Sequence, residues 1–160
     1  MSKKKICMVG DFAVGKTSLT QRFVNNVFSE KYLTTIGVKI DTAEVKDSKV
    51  ILWDVAGRDS LSPVNVSYLV GASGVVLVAD GTRKKTISNL FEIWQTIVDR
   101  IGNVTAVVAI NKSDCEGWNI DDEDIKRFAE NDWPVFYTSA MNDENVRDVF
   151  ELLIDIIDAK

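Results

Sequence analysis

The sequence predicts an α/β domain whose mostly parallel sheet carries helices on both faces. Three observations lead there. Ile6 to Val9, Val75 to Ala79 and Val104 to Ile110 are short, nearly continuous apolar runs, as expected of strands buried on both faces and hence of a parallel sheet. Between them, apolar residues recur at three- and four-residue steps, the signature of helices with one buried face. The chain's 160 residues, 46% hydrophobic and 27% charged, suffice for one domain with a substantial core.

Each element follows in order. Ile6 to Val9 is the first strand, and a glycine-containing loop and a helix come after it. Val38 to Asp54 holds two extended segments around "KDSK", Lys46 to Lys49, a connection too short for a crossover helix and therefore an antiparallel hairpin. After Val75 to Ala79, the stripe Ile87, Leu90, Phe91, Trp94, Ile97, Val98 and Ile101 marks a helix. Val104 to Ile110 is the next strand, and Asp122 to Asn131 a shorter amphipathic stretch. Pro134 suits the start of a strand in "WPVFYTS". Val146, Val149, Phe150, Leu153, Ile154 and Ile157 form the closing helix, with Asn142 and Asp143 as candidate N-caps. This gives six strands, one antiparallel to the rest, and no repeat, linker or low-complexity segment. Residues 1–160 read as a single domain.

Composition narrows the function. A net charge of −5 and a pI near 4.8 argue against nucleic-acid binding, which needs a basic face. Lys3, Lys4 and Lys5 read as a solvated lead-in to the first strand. With no histidine, imidazole acid–base chemistry and His-ligated zinc are excluded. Cys7 and Cys115 fit no disulfide framework or metal spacing, which points to a reducing setting. No apolar run approaches the roughly 18 residues that cross a bilayer. The start lacks a signal-peptide core and has Ser2 where N-myristoylation needs glycine. The end lacks a cysteine for a prenyl group, so no lipid anchor is visible in this chain. The expectation is a soluble, cytoplasmic monomer.

In open α/β sheets ligands bind beyond the carboxyl ends of the strands, and the polar signatures stand there. "GDFAVGKTS", Gly10 to Ser18, has the spacing G-x-x-x-x-G-K-[ST]. In such a phosphate loop the backbone N–H groups turn toward an anion, Lys16 reaches the β- and γ-phosphates, and the Thr17 hydroxyl is placed to ligate Mg²⁺. "DVAG" follows the third strand, "NKSD" follows Val107 to Ile110, and "TSA" follows Val135 to Tyr137. The carboxylate of Asp114 can accept from both N1–H and the exocyclic amino group of guanine, a donor pair adenine lacks. The Lys112 stem can cover a flat ring, and Asn111 can tie neighbouring loops.

With "GDFAVGKT", "TTIG", "DVAG", "NKSD" and "TSA" in order, the chain from about Lys4 to Asp158 resembles the Ras superfamily of small GTP-binding proteins. Asp11, "YLTTIG" and "LWDVAG" look most like the Rab branch. The resemblance implies a three-layer P-loop NTPase fold and a GTP/GDP- and Mg²⁺-binding switch that hydrolyses GTP. It assigns Asp11, Phe12, Ala13, Val14, Gly15, Lys16, Thr17 and Ser18 to the phosphates. Phe28 packs against the guanine, or is a core phenylalanine. Thr35, with Thr34 beside it, is the switch threonine that reaches Mg²⁺ when a γ-phosphate is present. Asp54 holds the metal through water, and Gly57 gives its N–H to the γ-phosphate. Asn111, Lys112, Asp114, Ser139 and Ala140 surround the base, with Met141 in place of a frequent lysine. Effectors and regulators would read the ordered switch segments. Ile40, Trp53 and Tyr68 form either an apolar partner-facing patch or core packing, and the hairpin is shorter than in typical Rabs.

Two positions depart from the pattern. Arg58 replaces the glutamine that orients the attacking water, and a guanidinium has donors but no acceptor. It either stabilises phosphoryl charge, as an arginine finger does, or lies solvated. Phe12 replaces a small residue beside the γ-phosphate, where it competes with both the water and an activator's arginine. These changes imply tight GTP binding with slow hydrolysis. The alternatives are a non-hydrolysing, GTP-locked binding module and a nucleotide-dependent scaffold.

Overall fold

The computed structural model describes residues 2–11, 13–25, 38–55 and 67–160. Among them are six strands, β1 (Ser2–Gly10), β2 (Val38–Val45), β3 (Ser48–Val55), β4 (Gly74–Asp80), β5 (Thr105–Asn111) and β6 (Val135–Tyr137). The helices are α1 (Lys16–Asn25), α2 (Lys84–Ile101), α3 (Asp122–Glu130) and α4 (Val146–Asp158). The strands form one sheet in the order β2-β3-β1-β4-β5-β6. Only the β2–β3 pair is antiparallel, as the short connection at Lys46 and Asp47 requires.

The apolar runs are continuous because successive residues serve two cores. Ile6, Met8, Val76, Val78, Val107 and Ala109 face one cluster with Leu19 and Phe23 of α1 and Phe150 and Leu153 of α4. Cys7, Val9, Val75, Leu77, Val108 and Ile110 face the other, with Ile87, Leu90 and Ile97 of α2 and Phe128 of α3. The result is the expected three-layer arrangement. The strand order reverses direction at β1, so the loop after β1 lies at a topological switch point. No helix among the described residues is long and apolar enough to cross a membrane.

Two local expectations are corrected. The lysine run is not a solvated lead-in: Lys3 to Lys5 lie inside β1. Lys4 is buried, its Nζ donating to Ser2 Oγ at 2.8 Å and Ser48 Oγ at 3.0 Å and pairing with Asp158 at 2.8 Å. The N-cap of α4 is Asn145, not Asn142 or Asp143. Ser139 and Glu144 exchange backbone hydrogen bonds, and Ser139 Oγ accepts from the Asn142 N–H at 3.0 Å. Asn142 and Asp143 are thereby committed to the preceding turn. Asp143 (φ 55°) and Asn145 (φ 57°) both adopt left-handed backbone, which Asn and Asp tolerate better than most residues.

Candidate nucleotide-binding site

The loop after β1 is wound tightly against the strands beside it. A Cβ at Gly10 would lie 2.2 Å from the Val78 carbonyl oxygen of β4, and one at Gly15 2.2 Å from Asn111 Nδ2. Gly15 also has φ +99°, so glycine is required there on both counts. Ala13 is left-handed as well, at φ 63°. Gly15 O accepts from the Leu19 N–H at 2.9 Å, which opens α1. The N-terminal amides of α1 are thus directed at the loop, where helix geometry favours an anion. Val14 is buried, Ser18 half-buried.

Lys16 is the first residue of α1 and is buried. Its Nζ donates to Gly10 O at 3.4 Å and Asp11 O at 3.3 Å, both longer than ordinary N–H···O distances. Burial pushes its pKa down, against the opposing pull of Asp54 and Asp11. Asp11 accepts from Asn89 Nδ2 of α2 at 2.5 Å. Asp54, near the end of β3, is fully buried, and one carboxylate oxygen accepts from the Thr17 hydroxyl at 2.5 Å. A hydroxyl and a carboxylate meeting beside a phosphate loop are a hard-oxygen donor pair of the kind Mg²⁺ takes, its other positions being left to water and phosphate. These residues fit the metal.

Asn111 is the junction of the base side. Its Nδ2 donates to Val14 O at 3.1 Å, and its Oδ1 accepts from the Thr138 hydroxyl at 3.2 Å and the Ala140 N–H at 3.4 Å. One buried amide therefore joins the loops after β1, β5 and β6. Lys112 (φ 70°) donates to Ala13 O at 3.0 Å and pairs with Asp80 at 2.9 Å. Asp114 is exposed, with one oxygen accepting from Ser139 Oγ at 2.7 Å. Ser139 and Ala140 are buried behind it.

The structure brings Asp11, Ala13 to Ser18, Asp54, Asn111, Lys112, Asp114, Ser139 and Ala140 to one end of the sheet. Phe12, Phe28, Thr34, Thr35, Gly57 and Arg58 lie outside the described residues. In the patch, Ile40 pairs with Trp53 across the hairpin and is 50% exposed. Trp53 and Tyr68 are half-buried with ring centroids 6.2 Å apart, and Lys5 Nζ sits 3.8 Å over the Trp53 ring. Trp53 also packs on the core.

Sequence reasoning missed several supporting residues. Arg22 of α1 donates to the carbonyls of Ala140 at 2.8 Å and Met141 at 2.9 Å, holding the last loop. Asp80 ends β4, Gly81 follows it, and both back the "NKSD" loop. Their signal was available: "DGT" is a polar segment at the carboxyl end of an apolar run, the same placement that marks the other loops.

The sequence pattern of the Ras family matches residues 5–159. The chain is 34% identical over 162 aligned positions to the Ras-related protein SEC4 of Saccharomyces cerevisiae, covering 98% of this chain and 75% of that protein. It is 34% identical over 154 positions to the Ras-related protein Rab-1 of Theileria parva, covering 91% of this chain and 70% of that one. With the phosphate loop, the hydroxyl–carboxylate pair and the base-side junction in place, the chain belongs to the Ras family and is a Rab-like small GTP-binding protein.

Proposed function

We propose that residues 1–160 form one nucleotide-binding domain that alternates between GTP and GDP with Mg²⁺ and hydrolyses GTP slowly. The observation that carries the binding reading is Asn111, whose single amide links the phosphate loop to both base-side loops. Lys16 and the amides of α1 would hold the phosphates, and Asp114, Lys112, Ser139 and Ala140 the guanine. Thr17 and Asp54, with Thr35, would hold Mg²⁺, which supplies neutralisation of phosphate charge when bound. Gly57 would sense the γ-phosphate, and Phe28 would flank the base. Ile40, Trp53 and Tyr68 are the proposed effector surface, and the exposure of Ile40 supports it. Two free thiols, Cys7 and Cys115, suit a reducing cytoplasm, and we read the protein as a monomer there.

Slow hydrolysis rests on Phe12 and Arg58. Arg58 offers no acceptor to orient water, and a phenyl side chain at position 12 would crowd the space an arginine finger enters, a group that contributes about 10³–10⁵ in rate. The test is single-turnover hydrolysis of bound GTP in wild type, Phe12→Gly, Arg58→Gln and the double variant. Each single change should give a modest gain, and the double should exceed the product of the two, because both act on one water. Wild-type turnover as fast as the double variant would refute the impairment and point to Arg58 as a finger in cis. No turnover in any variant would point to the GTP-locked module.

A further inference from the structure

The segment Asp80 to Arg83, from the last residue of β4 to the start of α2, carries a buried carboxylate that binds no phosphate or base in the reading above. Asp80 is 1% exposed. One of its oxygens accepts from the Thr82 N–H at 2.8 Å and the Thr82 hydroxyl at 2.6 Å. The other takes Arg83 Nε at 3.0 Å and Lys112 Nζ at 2.9 Å. Burial alone would push the carboxyl up, but the hydrogen bonds from Thr82, Lys112 and Arg83 outweigh it and hold it below its usual range. The group is a fixed anion, saturated with donors.

Of the two cations it gathers, Lys112 is the one assigned to the base pocket. Lys112 has left-handed backbone at φ 70°, a conformation that costs a non-glycine residue energy and persists only where its surroundings over-determine it. Asp80 and the Ala13 carbonyl, at 2.9 and 3.0 Å from the same Nζ, supply that restraint. Gly81 continues the tie: its N–H donates to Asn111 O, and its carbonyl accepts from the Asn119 N–H, each at 3.0 Å. The turn therefore grips the "NKSD" loop at both ends.

We propose that Asp80 is a positioning residue for nucleotide retention. It holds the Lys112 side chain along the base pocket and, through the Lys112–Ala13 contact, ties that pocket to the phosphate loop. The proposal rests on the assignment of Lys112 to the base. An amide at position 80 would lose the charge that gathers the two cations, and its NH₂ group would face either both of them or the Thr82 donors.

The experiment is stopped-flow release of fluorescently labelled GDP from wild type, Asp80→Asn, Lys112→Met and the double variant. Asp80→Asn should release GDP on the order of tenfold faster than wild type, and less than about twofold faster in the Lys112→Met background. Equal acceleration in both backgrounds would overturn the proposal, since a general loosening of the fold does not need Lys112. So would no acceleration by Asp80→Asn where Lys112→Met does accelerate release. If Lys112→Met itself leaves release unchanged, the base-pocket assignment fails and the proposal with it. Should Asp80→Asn not fold, Thr82→Val removes one hydroxyl donor from the carboxylate and carries the same cycle, with a severalfold acceleration that must vanish with Lys112→Met.

Discussion

Gly81 offers a way to measure how firmly the base-side loop is held. Its backbone is not in the left-handed region, so alanine is allowed conformationally. Space is the obstacle: a Cβ there would lie 2.2 Å from both Cε3 and Cζ3 of Trp118 and 2.9 Å from Cδ2. The ring must leave, and with it goes the edge-to-face contact to Tyr137, whose centroid is 5.6 Å away. Overpacking costs about 1–3 kcal/mol, and an aromatic pair contributes about 0.5–1.5 kcal/mol beyond its buried area. Trp118 is half-buried and can swing outward, so Gly81→Ala should cost about 1–3 kcal/mol in total. In a Trp118→Ala background the clash is gone. The same change should then be neutral, or stabilising by about 0.4–1 kcal/mol through the stiffer unfolded chain. Urea midpoints of the four proteins at fixed GDP and Mg²⁺, with m-values compared, give the coupling directly. Equal destabilisation by Gly81→Ala in both backgrounds would refute the steric account.

Asp114→Asn should weaken GTP binding by about 1.5–3 kcal/mol, roughly 10- to 150-fold, and improve relative affinity for xanthosine triphosphate, whose 2-oxo group accepts from the new amide. Unchanged GTP affinity in a competition titration would count against this base pocket. Thr17→Ala should weaken Mg²⁺-dependent triphosphate binding more than diphosphate binding, and equal losses with and without Mg²⁺ would remove Thr17 from the metal site. Lys16→Met should abolish tight nucleotide binding while leaving the nucleotide-free protein at least as stable toward urea. A loss above roughly 1 kcal/mol in that form would make Lys16 a structural residue.

The layered fold was legible because its cause is local. Val75 to Ala79 and Val107 to Ile110 are apolar at every position, and only a strand between two cores asks for that. The phosphate loop was legible for a similar reason: the positive φ at Gly15 and the charge of Lys16 are local requirements, although the approach of Asn111 to Gly15 is not. What stayed hidden depends on distant partners. Nothing near Gly81 announces that Trp118 will lie on it, and nothing near Lys4 announces Asp158. The capping error has the same origin. Asn142 and Asp143 are good caps by residue type, but the Ser139–Glu144 pairing had already used that stretch of backbone. Asn111 stands between these cases, since its placement was readable and its three acceptor and donor partners were not.

Lys16 shows why a site of this kind is stabilised by what it binds. A buried ammonium is unfavourable unless paired, and here its contacts among the described residues are two carbonyls at 3.3 and 3.4 Å. Burial lowers its pKa, and the charges of Asp54 and Asp11 pull the other way without reversing the shift. Asp54 meanwhile shares its carboxylate with the Thr17 hydroxyl. The fold thus holds a buried cation at the start of α1 on two long carbonyl contacts, and a bound phosphate would add a full charge partner there. Binding to the native form alone adds stability as RT ln(1 + [L]/Kd), about 4 kcal/mol at a thousandfold excess over Kd. That gain is comparable to a large part of the whole stability of a domain, about 5–15 kcal/mol. Substitutions behind the site, at Asp80 or Gly81, should therefore lower the unfolding midpoint more in saturating GDP than in the nucleotide-free protein. Their effect enters twice in the first case, through packing and through Kd, and once in the second.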